Sequence, residues 1–310
     1  MISELAPGSH RERPEAAWRS NGSQPVVLEL VTIPDLRAWS RAQRSAGRRI
    51  GFVPTMGYLH EGHLALVDEA RRRADSVVLS IFVNPLQFGP AEDLARYPRD
   101  LPRDRALASA RGVDALFVPS VEEMYPAGSE VRVSPGPIAE RWEGAARPGH
   151  FTGVLTVVAK LFHLVEPDLA CFGQKDVQQL TLVRRMVRDL DWPVEIVAVP
   201  TVREPDGVAR SSRNAYLSAD DRRRAVVLSR ALQAAHRAWS GGETRAPALE
   251  ARMRQELGTE PTVAVEYISI ADAEGLAPVD TADGCTIVAI AARLGGTRLI
   301  DNIMLGEGIR

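Results

Sequence analysis

Two spacings of apolar residues alternate along the chain. Short apolar runs at 26–32, 50–54, 76–83 and 115–118 predict buried strands. Between and after them, apolar residues recur at steps of three and four. That spacing predicts helices over 33–46, over 61–73 (through Leu64, Leu66, Val67 and Ala70) and over 101–111. Asn84-Pro85 ends the third strand. The rhythm resumes after a stretch rich in proline and glycine. It predicts a helix over 152–165, a strand over 169–172, a helix over 176–190 and a strand over 194–199. A long helix over 218–238 follows, capped by Ser218 with Asp220 and Asp221 in its first turn. Lys160 falls mid-helix, where a snorkelling or exposed side chain is expected. Strands alternating with helices build a parallel sheet through right-handed crossovers. The pattern changes near Ser240-Gly241-Gly242, and beyond it a helix over 246–257 and strands at 263–269, 285–291 and 298–300 predict a small α+β unit. The expected fold is therefore α/β: a Rossmann-like parallel-sheet domain over 26–213 and a smaller C-terminal α+β domain over 214–310. A flexible extension is expected at 1–25.

Composition narrows the function without naming it. With 310 residues, 45% of them hydrophobic and 25% charged, the chain can bury a sizeable core. A net charge of -2 argues against a protein that coats nucleic acid. The two cysteines, Cys171 and Cys285, can form neither a disulfide framework nor a metal-ligand spacing, which suits a reducing cytosol. No apolar run has the length of a membrane span, and the first 25 residues lack the apolar core of a secretory signal. A cytoplasmic enzyme without membrane or nucleic-acid partners is expected. Of 38 basic Lys and Arg residues only Lys160 and Lys175 are lysine, so a surviving lysine can mark a need for a compact ammonium.

In open parallel sheets ligands bind beyond the carboxyl ends of the strands. Four polar segments fall there, at 54–63, 84–88, 173–179 and 201–214. The first is Pro54-Thr55-Met56-Gly57-Tyr58-Leu59-His60-Glu61-Gly62-His63. Its glycines permit close backbone approach, and the helix start offers free N–H groups to an anion. His60 and His63 stand three apart, so both rings can face one phosphate chain and donate to charge developing there. Capping or core histidines are the alternative. Zinc is a weaker reading, because the pattern is not His-Glu-x-x-His and no third ligand is evident. In the second segment, Asn84 and Gln87 are neutral amides suited to hydroxyl and carboxylate groups, although a strand-ending turn also explains them.

The third segment, Gly173-Gln174-Lys175-Asp176-Val177-Gln178-Gln179, sets Lys175 at a helix N-terminus. A cation there opposes the helix dipole unless it neutralises a bound phosphate. Asp176 would cap the helix, and Gln179, one turn on, could face the pocket. In the fourth, Arg210-Ser211-Ser212-Arg213-Asn214 combines hydroxyls, a guanidinium fork and an amide. That set can clamp phosphate, or it can be a surface loop with capping serines. Together these residues suit an enzyme that binds ATP and activates a small carboxylic acid.

Taken in order, the motifs closely resemble those of the pantoate–β-alanine ligase (pantothenate synthetase) family of the nucleotidyltransferase superfamily. They are Pro-Thr-Met-Gly…His-Glu-Gly-His, Phe-Val-Asn-Pro-Leu-Gln-Phe, Gly-His-Phe-Thr-Gly-Val, Gly-Gln-Lys-Asp-Val-Gln-Gln and Ser-Ser-Arg-Asn, and the likeness runs from about Val27 to the C-terminus. The resemblance implies a reaction in two steps. Pantoate and ATP form pantoyl adenylate and pyrophosphate, and β-alanine then displaces AMP. It also implies magnesium beside the triphosphate, a homodimer, and a C-terminal domain that covers the site. It would place Met56, Gly57, Tyr58, Leu59, His60, Glu61, Gly62 and His63 at ATP, with His63, His60 and Lys175 catalytic. Gly173, Gln174, Lys175, Asp176, Val202, Arg210, Ser211, Ser212 and Arg213 would also contact the nucleotide. Gln87, Gln179 and Asn84 would bind substrate, and Asp104 is the expected magnesium carboxylate. The chain departs from the familiar pattern at Leu86, where methionine is usual, at Gln174, where glutamate is common, and at Arg210, where an apolar residue is usual. A nucleotidyltransferase acting on a phosphorylated substrate would share the histidines but not Gln87 and Gln179 with Ser-Ser-Arg-Asn. A regulatory nucleotide binder would release no pyrophosphate.

Overall fold

In the computed structural model, residues 27–90 and 92–309 are described, and the expected extension at 1–25 lies outside them. The first part of the chain alternates as its apolar pattern requires. The elements are β1 (Leu28–Leu30), α1 (Ile33–Ser45), β2 (Ile50–Thr55), α2 (Glu61–Arg73), β3 (Ser76–Ile81), α3 (Leu101–Ala110) and β4 (Ala115–Phe117). Next come two short helices, α4 (Val121–Met124) and α5 (Trp142–Ala146). They are followed by α6 (His150–Val165), β5 (Leu169–Gly173), α7 (Val177–Asp189) and β6 (Glu195–Val199).

The six strands form one parallel sheet in the order β1-β4-β3-β2-β5-β6. Helices cover both faces. α1, α6 and α7 bury Leu36, Trp39, Phe162, Leu180 and Val183 on one side. α2 and α3 bury Leu66, Val67, Ala70 and Ala108 on the other. Strand order reverses between β2 and β5, which is where such sheets open a crevice.

The expected helix over 218–238 is broken into α8 (Ala219–Arg224), which Ser218 caps, and α9 (Val226–Ser240). Fully buried Ala225 stands at the break. Then come α10 (Ala246–Leu257) and the antiparallel strands β7 (Ala264–Ala271), β8 (Ile287–Leu294) and β9 (Thr297–Met304). One face of this small sheet packs with α9 and α10 around Leu232, Leu249, Val288 and Ile290. The other face turns Ile287 and Ala289 toward the core that holds α6 and α7. Beside that face, Glu143 of α5 accepts from Tyr267 at 3.0 Å and pairs with Arg298, while Trp142 stacks on Tyr267.

Candidate active site

The loop after β2 is held in a conformation that most sequences avoid. Gly57 and Tyr58 both have positive φ, 81° and 52°. A Cβ on Gly57 would lie 2.8 Å from the Ile81 side chain and 3.0 Å from Asp104. Asp104 holds the loop down: its two oxygens accept from the Tyr58 and Leu59 amides, each at 2.7 Å. Asp104, expected from the resemblance to be the magnesium carboxylate, is only 1% exposed, gives both oxygens to these amides and lines neither of the two spaces described below. It is the anchor of the loop that leads into α2.

That anchoring sets the two histidines. His60 caps α2, its Nδ1 accepting from the Gly62 amide at 3.1 Å, and the His63 Nδ1 accepts from the His60 amide at 3.3 Å. The rings lie 4.1 Å apart between centroids. With both Nδ1 atoms accepting, each neutral ring carries its proton on Nε2 and keeps that N–H as a donor. Burial lowers the His60 pKa to about 2, helped by His63 and Lys175. Burial likewise lowers the His63 pKa to about 4, against the pull of Asp176. The capping role and the donor role therefore coexist in the same pair.

These residues open onto a chamber of about 230 Å³. Met56, Gly62, Gly173, Lys175 and Asp176 line it from the loops after β2 and β5, and Gln179 from the first turn of α7. Val202, Arg210, Ser211, Ser212 and Arg213 close it from the segment after β6. Apolar Phe82, Val154, Val157, Val158 and Leu161 make the remaining wall. Lys175, Asp176, Gln179, Ser211 and Arg213 also line a wider cleft of about 620 Å³ that runs to β9 of the small sheet, so the two spaces adjoin. Among the described residues no carboxylate pairs with Lys175. Arg213 is met by Asp93 through two 3.1 Å bonds, and Arg210 by Glu204 at 3.0 Å.

Gln87 enters this chamber with its orientation set. Its side-chain carbonyl oxygen accepts from the Asn84 amide at 3.1 Å, and its NH2 donates to Met56 Sδ at 3.2 Å with one further N–H to offer. Asn84 is spent in doing so. It also donates to the Gly153 carbonyl at 3.1 Å and accepts from the Tyr125 hydroxyl at 3.0 Å and the Leu86 amide at 3.3 Å. Asn84 is 1% exposed and lines neither the chamber nor the wider cleft, so its bonds here support Gln87.

Several other residues expected at ATP stand back from both spaces. Gly57 is inside the loop, Leu59 is a fully buried core residue, and Tyr58 lies under Arg103 with 5.6 Å between guanidinium and ring. Glu61 pairs with Arg111 at 3.1 Å, and Gln174 reaches Glu307 at 3.3 Å. Asp176 occupies the cap position of α7 without a side-chain capping bond. Lys160 is bonded to the Met124 carbonyl and lies 5.7 Å from the Tyr125 ring, so it is neither snorkelling nor free.

Reading by residue type missed Arg147 and His150, which line both spaces. The His150 Nδ1–H donates to the Gln87 carbonyl at 2.8 Å, and its Nε2 accepts from Arg147 at 3.0 Å. Burial, with Arg147 adding to it, lowers the His150 pKa to about 4. The signal was present in Gly-His-Phe-Thr-Gly-Val, where Gly149 at φ 82° starts α6 and puts His150 at its first position.

A parallel sheet with donor imidazoles, a lysine and a Ser-Ser-Arg run at the carboxyl ends of its strands defines an ATP-using enzyme that works at phosphate. The family model for pantoate-beta-alanine ligase matches residues 29–304. The pantothenate synthetase of Heliobacterium modesticaldum is 54% identical over 276 residues, covering 89% of this chain and 98% of that protein. The crystal structure of pantothenate synthetase from Thermus thermophilus superposes with a TM-score of 0.85 at 52% identity, covering 90% of this chain and 99% of that one. A pantoate-beta-alanine ligase from Francisella tularensis, solved with beta-gamma ATP and beta-alanine, superposes with a TM-score of 0.76 at 32% identity, covering 92% and 100%. The chain belongs to the pantoate-beta-alanine ligase family, whose activity is the ATP-dependent joining of pantoate to β-alanine.

Proposed function

We propose that the chain joins pantoate to β-alanine through pantoyl adenylate, with the acid in the inner chamber and the nucleotide along the loops after β2, β5 and β6. A pantoate carboxylate oxygen attacks the α-phosphorus of ATP, the bond to the bridging oxygen of the β-phosphate breaks, and pyrophosphate leaves. The uncharged amine of β-alanine then attacks the acyl carbon. The acyl–oxygen bond breaks to release AMP, and the amine loses a proton as the amide forms.

The observation that carries this reading is the meeting of His60, His63, Lys175 and Gln87 at one chamber. Neutral Nε2–H donors and an ammonium serve charge that grows on the phosphoryl oxygens. Gln87 and Gln179 offer amides to the hydroxyls and carboxylate of the acid, against an apolar wall suited to its carbon skeleton. Arg210, Ser211, Ser212 and Arg213 would hold the phosphates, and Val202 the base or sugar.

Magnesium typically binds phosphate oxygens and waters with one or two carboxylates. Among the described residues no cluster of three or more His, Cys, Asp or Glu could hold a metal alone, and Asp176 is the one carboxylate lining the inner chamber. Asp176 therefore fits a magnesium ion that arrives with the nucleotide, where it would offset phosphate charge. The small C-terminal sheet would act as the cover that keeps water from an acyl phosphate. A homodimer and a cytoplasmic setting complete the proposal. Among the described residues no helix is long and apolar enough to cross a membrane.

The test is a single-turnover reaction with carboxylate-labelled [18O]pantoate. Pyrophosphate release without β-alanine, and 18O in the AMP released once β-alanine is added, are expected. Unlabelled AMP, or no pyrophosphate until β-alanine is present, would eliminate the adenylate route.

A further inference from the structure

The small C-terminal sheet reaches the phosphate-facing loops through two neighbouring residues of β9. This is the edge strand of its sheet, and such strands leave backbone groups unpaired. Here Asn302 and Asp301 of that strand meet the segments that follow β5 and β6. The Asn302 Nδ2 donates to two carbonyls at once, those of Gln174 at 3.0 Å and Lys175 at 2.8 Å. Asp301 takes both arms of Arg203 at 2.6 and 2.9 Å, and the two side chains are only 3% and 7% exposed. The Asp301 Oδ1 also accepts from the Asn302 amide at 2.8 Å, which fixes the two residues relative to each other. Arg203 donates further to the Gly207 carbonyl at 3.1 Å, inside the loop that leads to Arg210–Arg213.

We infer that Asn302 is a positioning residue for Lys175: the C-terminal domain sets the catalytic ammonium by holding the backbone turn from which it projects. The inference rests on the role proposed above for Lys175. Two carbonyl oxygens converging on one point need two donors there. A primary amide supplies both from one nitrogen, whereas a carboxylate of the same shape would set lone pairs against lone pairs. Asn302 is 7% exposed, so little water is at hand to relieve that repulsion. Among the described residues no carboxylate orients the Lys175 side chain, and its placement depends all the more on where its backbone stands. A shift of about 1 Å at a reacting centre costs on the order of 10²-fold in rate.

The experiment compares Asn302→Asp, Asn302→Ser and Asn302→Ala in the wild-type and Lys175→Ala backgrounds. Pantoate-dependent pyrophosphate release gives kcat and KM. Asn302→Asp is expected to lower kcat on the order of 10²-fold, further than Asn302→Ala. The KM for pantoate should stay close to that of the wild type. In the Lys175→Ala background the same substitution should remove little more, because its effect passes through the lysine. Asn302→Ser keeps one donor and should fall between wild type and Asn302→Ala. That graded rescue reads the same question if the aspartate variant does not fold. Equal losses for Asp, Ser and Ala, or losses that multiply with Lys175→Ala, overturn the inference. A fully active Lys175→Ala enzyme overturns it as well, but through the lysine's own role, and that single variant tells the two failures apart.

Discussion

At the scale of single residues, His60, His63 and Lys175 face the chamber, while Asp104 and Asn84 hold the loops that carry their neighbours. His60, His63 and Lys175 stand out because their residue types conflict with, or exceed, what a bare helix start needs. Asp104 and Asn84 do not stand out, because an acid or an amide near a site reads as a ligand until its partners are known. Asp104→Asn should therefore turn one oxygen facing a backbone N–H into a donor. It is expected to cost about 1–3 kcal/mol of stability and to lower kcat, with the magnesium dependence of the rate unchanged. A magnesium titration checks this, and a raised metal requirement would return Asp104 to the metal. His63→Ala removes a half-buried donor and should lower kcat on the order of 10²–10³-fold. Loss of its bond to the His60 amide should cost about 1 kcal/mol, so thermal melting should still be cooperative. Lys175→Arg keeps the charge but spreads it over a wide, weakly hydrated fork, so kcat should fall although ATP still binds. Wild-type turnover in that variant would make the lysine's survival accidental.

At the scale of elements, the strands and long helices followed from apolar spacing because each buries one face or both. What the spacing did not predict is α4, α5 and the break between α8 and α9; at α5 tertiary contacts decide. α5 is held by Gln178, which donates to the Ile138 and Arg141 carbonyls, each at 2.8 Å, and accepts from the Glu143 amide at 3.0 Å. Nothing in the local pattern of 137–146 announces those bonds. The approach of α6 to the turn at Pro85–Gln87 is another such contact. A Cβ on Gly153 would lie 2.2 Å from the Leu86 carbonyl oxygen and 2.6 Å from the Gln87 amide nitrogen. Both are backbone atoms, so neither can swing away. Gly153→Ala should push the turn off α6, cost about 1–3 kcal/mol, and raise the KM for pantoate more than that for ATP, because Gln87 rides on the turn. Steady-state kinetics with each substrate varied would show it, and an equal rise in both would place Gln87 elsewhere.

At the scale of the whole molecule, the consequence is a pH-sensitive stability whose source lies in the site. His60 and His63, half-buried, and His150, buried, stand as neutral rings with pKa values lowered from 6.5 to about 2, 4 and 4. An unfolded chain binds protons at these groups as pH falls below 6.5, and the folded chain does not. Stability is therefore full above pH 6.5 and is lost progressively as pH falls toward the folded values. Each imidazole contributes up to about 1.4 kcal/mol per pH unit inside that window. Carboxylates add a separate loss only lower down. Glu69 and Asp206, held below the ordinary carboxylate range by arginine hydrogen bonds, destabilise the fold as pH drops through about 4. Between about pH 5 and 6.5 the slope belongs mainly to the histidines. Melting temperatures measured across that range should fall with falling pH, and replacing His150 with Gln should reduce the slope. A flat profile from pH 6.5 to 5 would mean that the rings are already exposed to protons, and the chamber could not then be the dry pocket that an acyl phosphate requires.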